Sequence, residues 1–157
     1  MSATTTDTAM IDRTFLGRES ERLSDLIAEQ TAELFAREGV VIPVKSCSVM
    51  DALAQCAPAS ASDLASRLDR SHQIIMQKLP RLIELGLVER SPDPADRRRF
   101  LLEITDRGAE QLERLHDLSP RIATAYRAIE DDIGSVYDQI VAMIEQLARE
   151  PLVDRID

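Results

Sequence analysis

From Asp12 to Glu38, apolar side chains return at Phe15, Leu16, Leu23, Leu26, Ile27, Leu34 and Phe35. That three-and-four spacing predicts an amphipathic helix, and Gly39 is suited to end it in a left-handed turn. "VVIPVKS" is a short connection; a second helix follows from about Ser46 to Cys56, with Pro58 closing the region. Ser60 then reads as an N-cap, and Asp63 three positions on completes a capping-box-like pair for a short helix to Leu68. "LDRS" makes a turn, Ser71 caps the next helix, and Gly86 stops it after Leu85. The apolar period then shortens to that of a strand. "LVER" reads as a first strand, "SPDPAD" as a turn and "RRRFLLEIT" as a second strand with Phe100, Leu102 and Ile104 on one face.

The C-terminal part returns to helical spacing. After a break expected at Pro120, apolar residues fall at Ile122, Tyr126, Ile129, Ile133, Val136, Ile140, Met143 and Leu147, in alternating steps of four and three. That is a heptad seam. A stripe this long on a chain of 157 residues predicts a partner helix, and a second copy of the chain makes the expected product a homodimer. Packing of the stripe within one subunit is the alternative. Residues 1–10 are Thr-rich and expected to be disordered, leaving a single domain over 11–157. Its lobe, 46–108, is flanked by helical arms at 11–39 and 109–150.

Composition first argues against nucleic acid as a partner, because the net charge is −9. The charge is unevenly spread, however. Residues 1–61 carry 5 basic and 9 acidic side chains, residues 62–107 carry 9 and 8, and residues 108–157 carry 5 and 11. The acid lies at the ends; the middle is free to meet an anion. Two cysteines, Cys47 and Cys56, on one helix would lie half a turn apart and about 13 Å along its axis, too far for a disulfide. Inert thiols are the simplest reading, with a redox-sensing Cys47 as the alternative. The N-terminus lacks the basic and apolar regions of a signal peptide, and no run is long enough to span a membrane, so a cytoplasmic protein is expected. With two histidines, no Gly-rich phosphate loop and no nucleophile–base spacing, nothing points to an enzyme, a cofactor or a metal.

Helix, tight turn, helix and hairpin is the layout of a winged helix-turn-helix: mainly α, with a small β-hairpin wing and long terminal helices. The stretch from Ser60 to Gly108, through "DLASRL", "RLIELGLVERSPDPADRRR" and "LEITDRG", resembles the MarR (multiple antibiotic resistance repressor) family of DNA-binding regulators. Such a fold sends the N-terminal end of its recognition helix into the major groove. Ser71, His72, Gln73, Ile74, Met76, Gln77 and Lys78 then face the groove, with Arg81 nearer the backbone. Gln73 and Gln77 can read adenine; Lys78 and Arg81 suit phosphates; Ile75, Leu79, Leu82 and Leu85 sit at core spacing. Ile74 and Met76 depart from the Ser or Thr usual in the family, which points to thymine-methyl or shape readout. Pro80 removes an amide bond inside this helix.

The resemblance places "DPADRRR" in the wing. Arg98 is then the arginine that enters the minor groove, with Asp96 helping to hold it, while Arg97 and Arg99, pointing away on the strand, reach phosphates. A solvated charge run on a loop is the alternative. The resemblance further implies dimerisation through helices from both ends of the chain and a pseudo-palindromic double-stranded DNA operator. It also implies a repressor released by a small phenolic or lipophilic effector, bound between the dimerisation helices and the DNA-binding lobe. Ser46, Cys47 and Met50 fall near that region, although core packing accounts for each. A winged-helix protein–protein interaction module remains the other use of such a fold.

Overall fold

The computed structural model describes residues 13–96 and 98–156. The expectations for residues 1–10 and for Arg97 lie outside the described residues. Eight main elements follow in chain order: α1 (Leu16–Glu38), α2 (Cys47–Cys56), α3 (Ala61–Arg67), α4 (His72–Glu84), β1 (Val88–Pro92), β2 (Phe100–Ile104), α5 (Asp106–Ile133) and α6 (Val136–Arg149). The chain divides within α5 into two compact units, one ending at Arg114 and the other starting at Leu115.

In the first unit, α2, α3, α4 and the hairpin enclose the core. Met50, Leu53, Leu64, Ile75, Leu82, Leu87 and Val88 are all buried, each large apolar side chain contributing roughly 2 kcal/mol of burial. The turns that bring these helices together are written locally. Gly39 (φ 72°) and Gly86 (φ 67°) take the left-handed conformation that ends α1 and α4. After α3 the same position is filled by Asp69 (φ 50°). The Arg70 amide donates to the Ala65 carbonyl at 2.9 Å and that of Asp69 to Ser66 at 3.3 Å, a Schellman closure. At the other end Ser60 and Asp63 form the full capping box, and the Ser71 hydroxyl accepts from the Ile74 amide. α4 continues through Pro80.

The hairpin differs from its expected limits. Val88 pairs with Ile104 and Pro92 with Phe100, so Ser91 and Pro92 belong to the first strand, while Arg98 and Arg99 precede the second. The cause is local. Asp93 Oδ1 accepts from the Ala95 amide at 2.8 Å and Asp96 Oδ1 from the Arg98 amide at 3.0 Å, turns that take these amides out of the ladder. On the predicted face Leu102 is buried and Ile104 half-buried, but Phe100 is 46% exposed. Its ring carries the Arg90 guanidinium, 4.7 Å from the centroid. Leu102 also pairs through both its N–H and its carbonyl with Ala59.

Thr105 starts α5. Its hydroxyl donates to the Gly86 carbonyl at 2.6 Å and accepts from the Gly108 amide at 3.0 Å. Gly108 lies so close to the preceding turn that a Cβ there would overlap the Leu87 carbonyl oxygen. Further on, the Gln111 side chain accepts from the Val41 amide at 2.7 Å, which accounts for its burial.

The second unit corrects the expected break at Pro120. α5 passes through that proline and ends at Ile133; Gly134 (φ 88°) stops it, and Ser135 caps α6 by accepting from the Asp138 amide. A proline costs the helix one amide bond, whereas Gly134 and Ser135 supply a stop and a start together. The apolar seam is therefore shared by two helices. Tyr126, Ile129, Ile133, Ile140, Met143 and Leu147 are exposed along it, and α6 buries none of its described residues.

Substituting Gly108→Ala is expected to destabilise the fold by about 2 kcal/mol, because the methyl must displace backbone. Urea unfolding checks this: the midpoint should fall clearly, and an unchanged midpoint would contradict the close approach.

Candidate nucleic-acid interface

α4 is amphipathic in a way that sorts its residues. Ile75, Leu79 and Leu82 are buried, whereas Ser71, His72, Gln73, Ile74, Met76 and Gln77 are exposed on one face of its N-terminal half. Within that polar face Ile74 is 40% and Met76 46% exposed, apolar surface that the single chain leaves in water. Lys78 is half-buried at the edge of the face. Leu85, expected in the core, is half-buried at the C-cap. Arg81 is exposed and ion-paired to Glu84 at 2.7 Å. An exposed pair of this kind is weak enough to be exchanged for a phosphate.

The hairpin tip closes on itself. The Asp93 amide donates to the Arg99 carbonyl at 3.0 Å, and the Arg99 amide to the Asp96 carbonyl at 2.8 Å. Asp96 therefore positions Arg98 through the backbone, accepting its amide, and leaves the guanidinium alone. Arg98 is exposed and has no ion-pair partner among the described residues.

Arg99 behaves differently from the expectation. It lies just ahead of the strand and turns back onto the N-terminus of α3. Its Nη2 donates to Ser60 Oγ at 3.0 Å and stands 3.5 Å from Asp63 Oδ2, while Nε is 4.0 Å from Asp93 Oδ2. Ser60 Oγ in turn donates to Asp63 Oδ2 at 2.6 Å. Bonds from the Ser60 hydroxyl and amide, with a smaller contribution from Arg99, hold the Asp63 carboxyl below its ordinary pKa. Arg99 is thus a strut between wing and helix.

The wing and α4 enclose a groove of about 540 Å³, lined by His72, Met76, Pro80, Arg90, Arg98 and Phe100 among others. Arg90 was not singled out from sequence. It lies in β1 opposite Leu102 and stacks on the exposed Phe100 ring, a neighbour that only the strand pairing supplies. Lys45 and Arg70 were also missed; with Ile74 and Lys78 they line a second concavity. No group of three His, Cys, Asp or Glu residues suited to a metal occurs among the described residues. Cys47 is half-buried, its thiol directed at the Pro43 carbonyl at 3.8 Å. Burial, reinforced by the Asp51 charge, pushes its pKa up to about 11.

With this geometry in place, comparison with known proteins is specific. A model of the MarR family matches residues 42–99. An uncharacterised HTH-type transcriptional regulator of Mycobacterium bovis is 31% identical over 70 residues, covering 41% of this chain and 49% of that protein. The chain thus spans about half the length of the curated relatives it matches. Among solved structures, the repressor CouR bound to a 23-mer DNA duplex aligns with a TM-score of 0.58 and 26% identity, covering 85% of this chain and 90% of its own. A mutant of Escherichia coli MarR in complex with operator DNA reaches a TM-score of 0.63 at 24% identity, covering 87% and 93%. The PcaV regulator of Streptomyces coelicolor with its natural ligand gives 0.58 at 22%, covering 95% and 96%.

A thiol with a pKa of about 11 stays protonated at neutral pH and reacts slowly. Site-resolved alkylation of the native protein by iodoacetamide should place the midpoint for Cys47 near pH 11, above the unfolded chain's value. A midpoint below 8.5, the value for an unperturbed thiol, would favour Cys47 as a sensor.

Proposed function

We propose that this chain, whose residues 42–99 match the MarR family, works as a homodimeric, sequence-specific DNA-binding repressor released by a small phenolic or lipophilic effector. The observation that carries this reading is one groove: Arg98 and the exposed face of α4 at His72 and Met76 line it together. A helix whose N-terminal half is exposed, beside a guanidinium with no ion-pair partner among the described residues, suits a duplex. The helix enters the major groove and the arginine the adjacent narrow minor groove, where negative potential is concentrated.

In this reading Gln73 and Gln77 accept and donate at adenine edges, and Ile74 and Met76 cover thymine methyl groups. Ser71 and His72 stand at the helix N-terminus, where free amides and the helix dipole favour phosphate. Lys78 and Arg81 bind backbone phosphates. Asp96 fixes the tip, and Arg99 keeps the wing against α3 rather than reaching for phosphate itself. The acidic ends of the chain repel DNA from other faces.

Dimerisation is supported by the exposed seam on α5 and α6, which a monomer would leave in water. Two recognition helices about 34 Å apart then match one turn of a pseudo-palindromic site. The DNA-bound state recorded for CouR and for the MarR mutant, and the ligand recorded for PcaV, are the precedents for the operator and the effector. The raised pKa of Cys47 disfavours the redox alternative.

If each subunit neutralises about four phosphates, the log–log salt slope of duplex binding is about −7. Arg98→Ala should weaken binding about ten-fold or more at fixed salt while sedimentation still reports a dimer. Equal affinity of variant and parent would instead favour a protein–protein interaction module.

A further inference from the structure

On the flank of α4 away from the groove that holds Arg98 lies a second concavity, of about 340 Å³, whose lining includes Lys45, Arg70, Ile74 and Lys78. Its three cations come from separate pieces of backbone, each fixed for a local reason. Lys45 sits in the 3-10 turn Val44–Ser46 that leads into α2. Arg70 follows Asp69 in the Schellman closure after α3, so the left-handed residue aims it. Lys78 comes from the second half of α4.

The cluster is under-neutralised. Lys45 is paired with Asp25 at 2.6 Å, but neither Arg70 nor Lys78 has an ion-pair partner among the described residues. The Lys78 ammonium is held below its ordinary pKa, first by burial and then by the Arg70 charge, with a smaller effect from Lys45; an ionised Cys47 would act oppositely. In a chain of net charge −9, three cations that converge on one concavity with a single paired carboxylate beside them make a local surface suited to an anion. A fork-shaped guanidinium between two point-charge ammonium groups suits the oxygens of a phosphate.

We propose that Lys45, Arg70 and Lys78 form a clamp for a backbone phosphodiester of the bound duplex. This rests on the DNA-binding reading and adds to it. A helix in the major groove is walled by sugar–phosphate backbone on both sides. The wing serves one flank of α4; the cluster gives the other flank its own anchor, and Ile74, in the wall of the same concavity, is thereby held against the base edges. Arg70 and Lys45 thus become DNA-contacting residues, and Lys78 acts as one member of a site.

The test is duplex affinity against salt for the full-length dimer, using random-sequence 24-mers by fluorescence anisotropy. Each phosphate contact contributes about 0.9 to the slope, and a dimer that loses the clamp on both subunits loses two. The double variant Arg70→Ala/Lys78→Ala, which takes the clamp apart, should flatten the slope by about 1.8 and cost at least about ten-fold at 0.1 M salt, equally on every sequence. Arg70→Lys keeps the charge and should keep the slope, which separates the clamp from a folding defect. Unchanged slopes in a wild type that binds DNA would overturn the clamp alone; a wild type that ignores the duplex removes the DNA reading and the clamp with it. A free-phosphate site is told apart by adding inorganic phosphate at constant ionic strength. Competition that is lost in Arg70→Ala would overturn the phosphodiester assignment, and no competition supports it.

Discussion

Arg99 reaches from beside the hairpin tip to Ser60 and Asp63 at the start of α3, and the placement of the wing turns on that contact together with the Leu102–Ala59 bonds. A two-stranded ribbon is marginally stable by itself. Here it is fixed at two points, by the paired hydrogen bonds between Leu102 and Ala59 and by the guanidinium strut. The hydroxyl of Ser60 serves both the capping box and the strut, so the same few atoms start α3 and hold the wing. With the wing fixed, Arg98 is left without an ion-pair partner among the described residues, alongside the exposed face of α4.

Most of this architecture could be read from local chemistry. Gly39 and Gly86 end helices in the left-handed conformation, Ser60 and Ser71 begin them, and Asp63 completes its box. Each is a rule acting over four or five residues. Pro120 is a poor guide to the helix end, because a proline within a helical pattern removes a single amide bond and α5 continues through it. The pair Gly134–Ser135, a stop followed by a cap, was the better signal and was equally visible. The strand limits differ because Asp93 and Asp96 capture the Ala95 and Arg98 amides and so keep Arg98 out of the ladder.

The candidate surface was legible in part. The exposed side of α4 follows from its period, since burying Ile75, Leu79 and Leu82 leaves His72, Gln73, Met76 and Gln77 outside. The division of labour among the arginines does not. Arg98 and Arg99 are neighbours of identical chemistry, and only the placement of α3, 39 residues before Arg99 at Ser60, makes one a strut and not the other. The gathering of Lys45, Arg70 and Lys78 is equally non-local. Overall acidity conceals both features, because charge acts over a Debye length of about 8 Å at physiological salt and a total over the chain averages that away.

The account's central claim is that the free face of α4 and the strutted hairpin meet DNA as one surface. Amide hydrogen exchange of the full chain, with and without a duplex recovered by selection from a random-sequence pool, addresses it directly. Slowed exchange at both Ser71–Lys78 and Asp93–Arg99 on adding the duplex is the result predicted. Slowing at neither segment, or only beyond Leu115, would contradict the account.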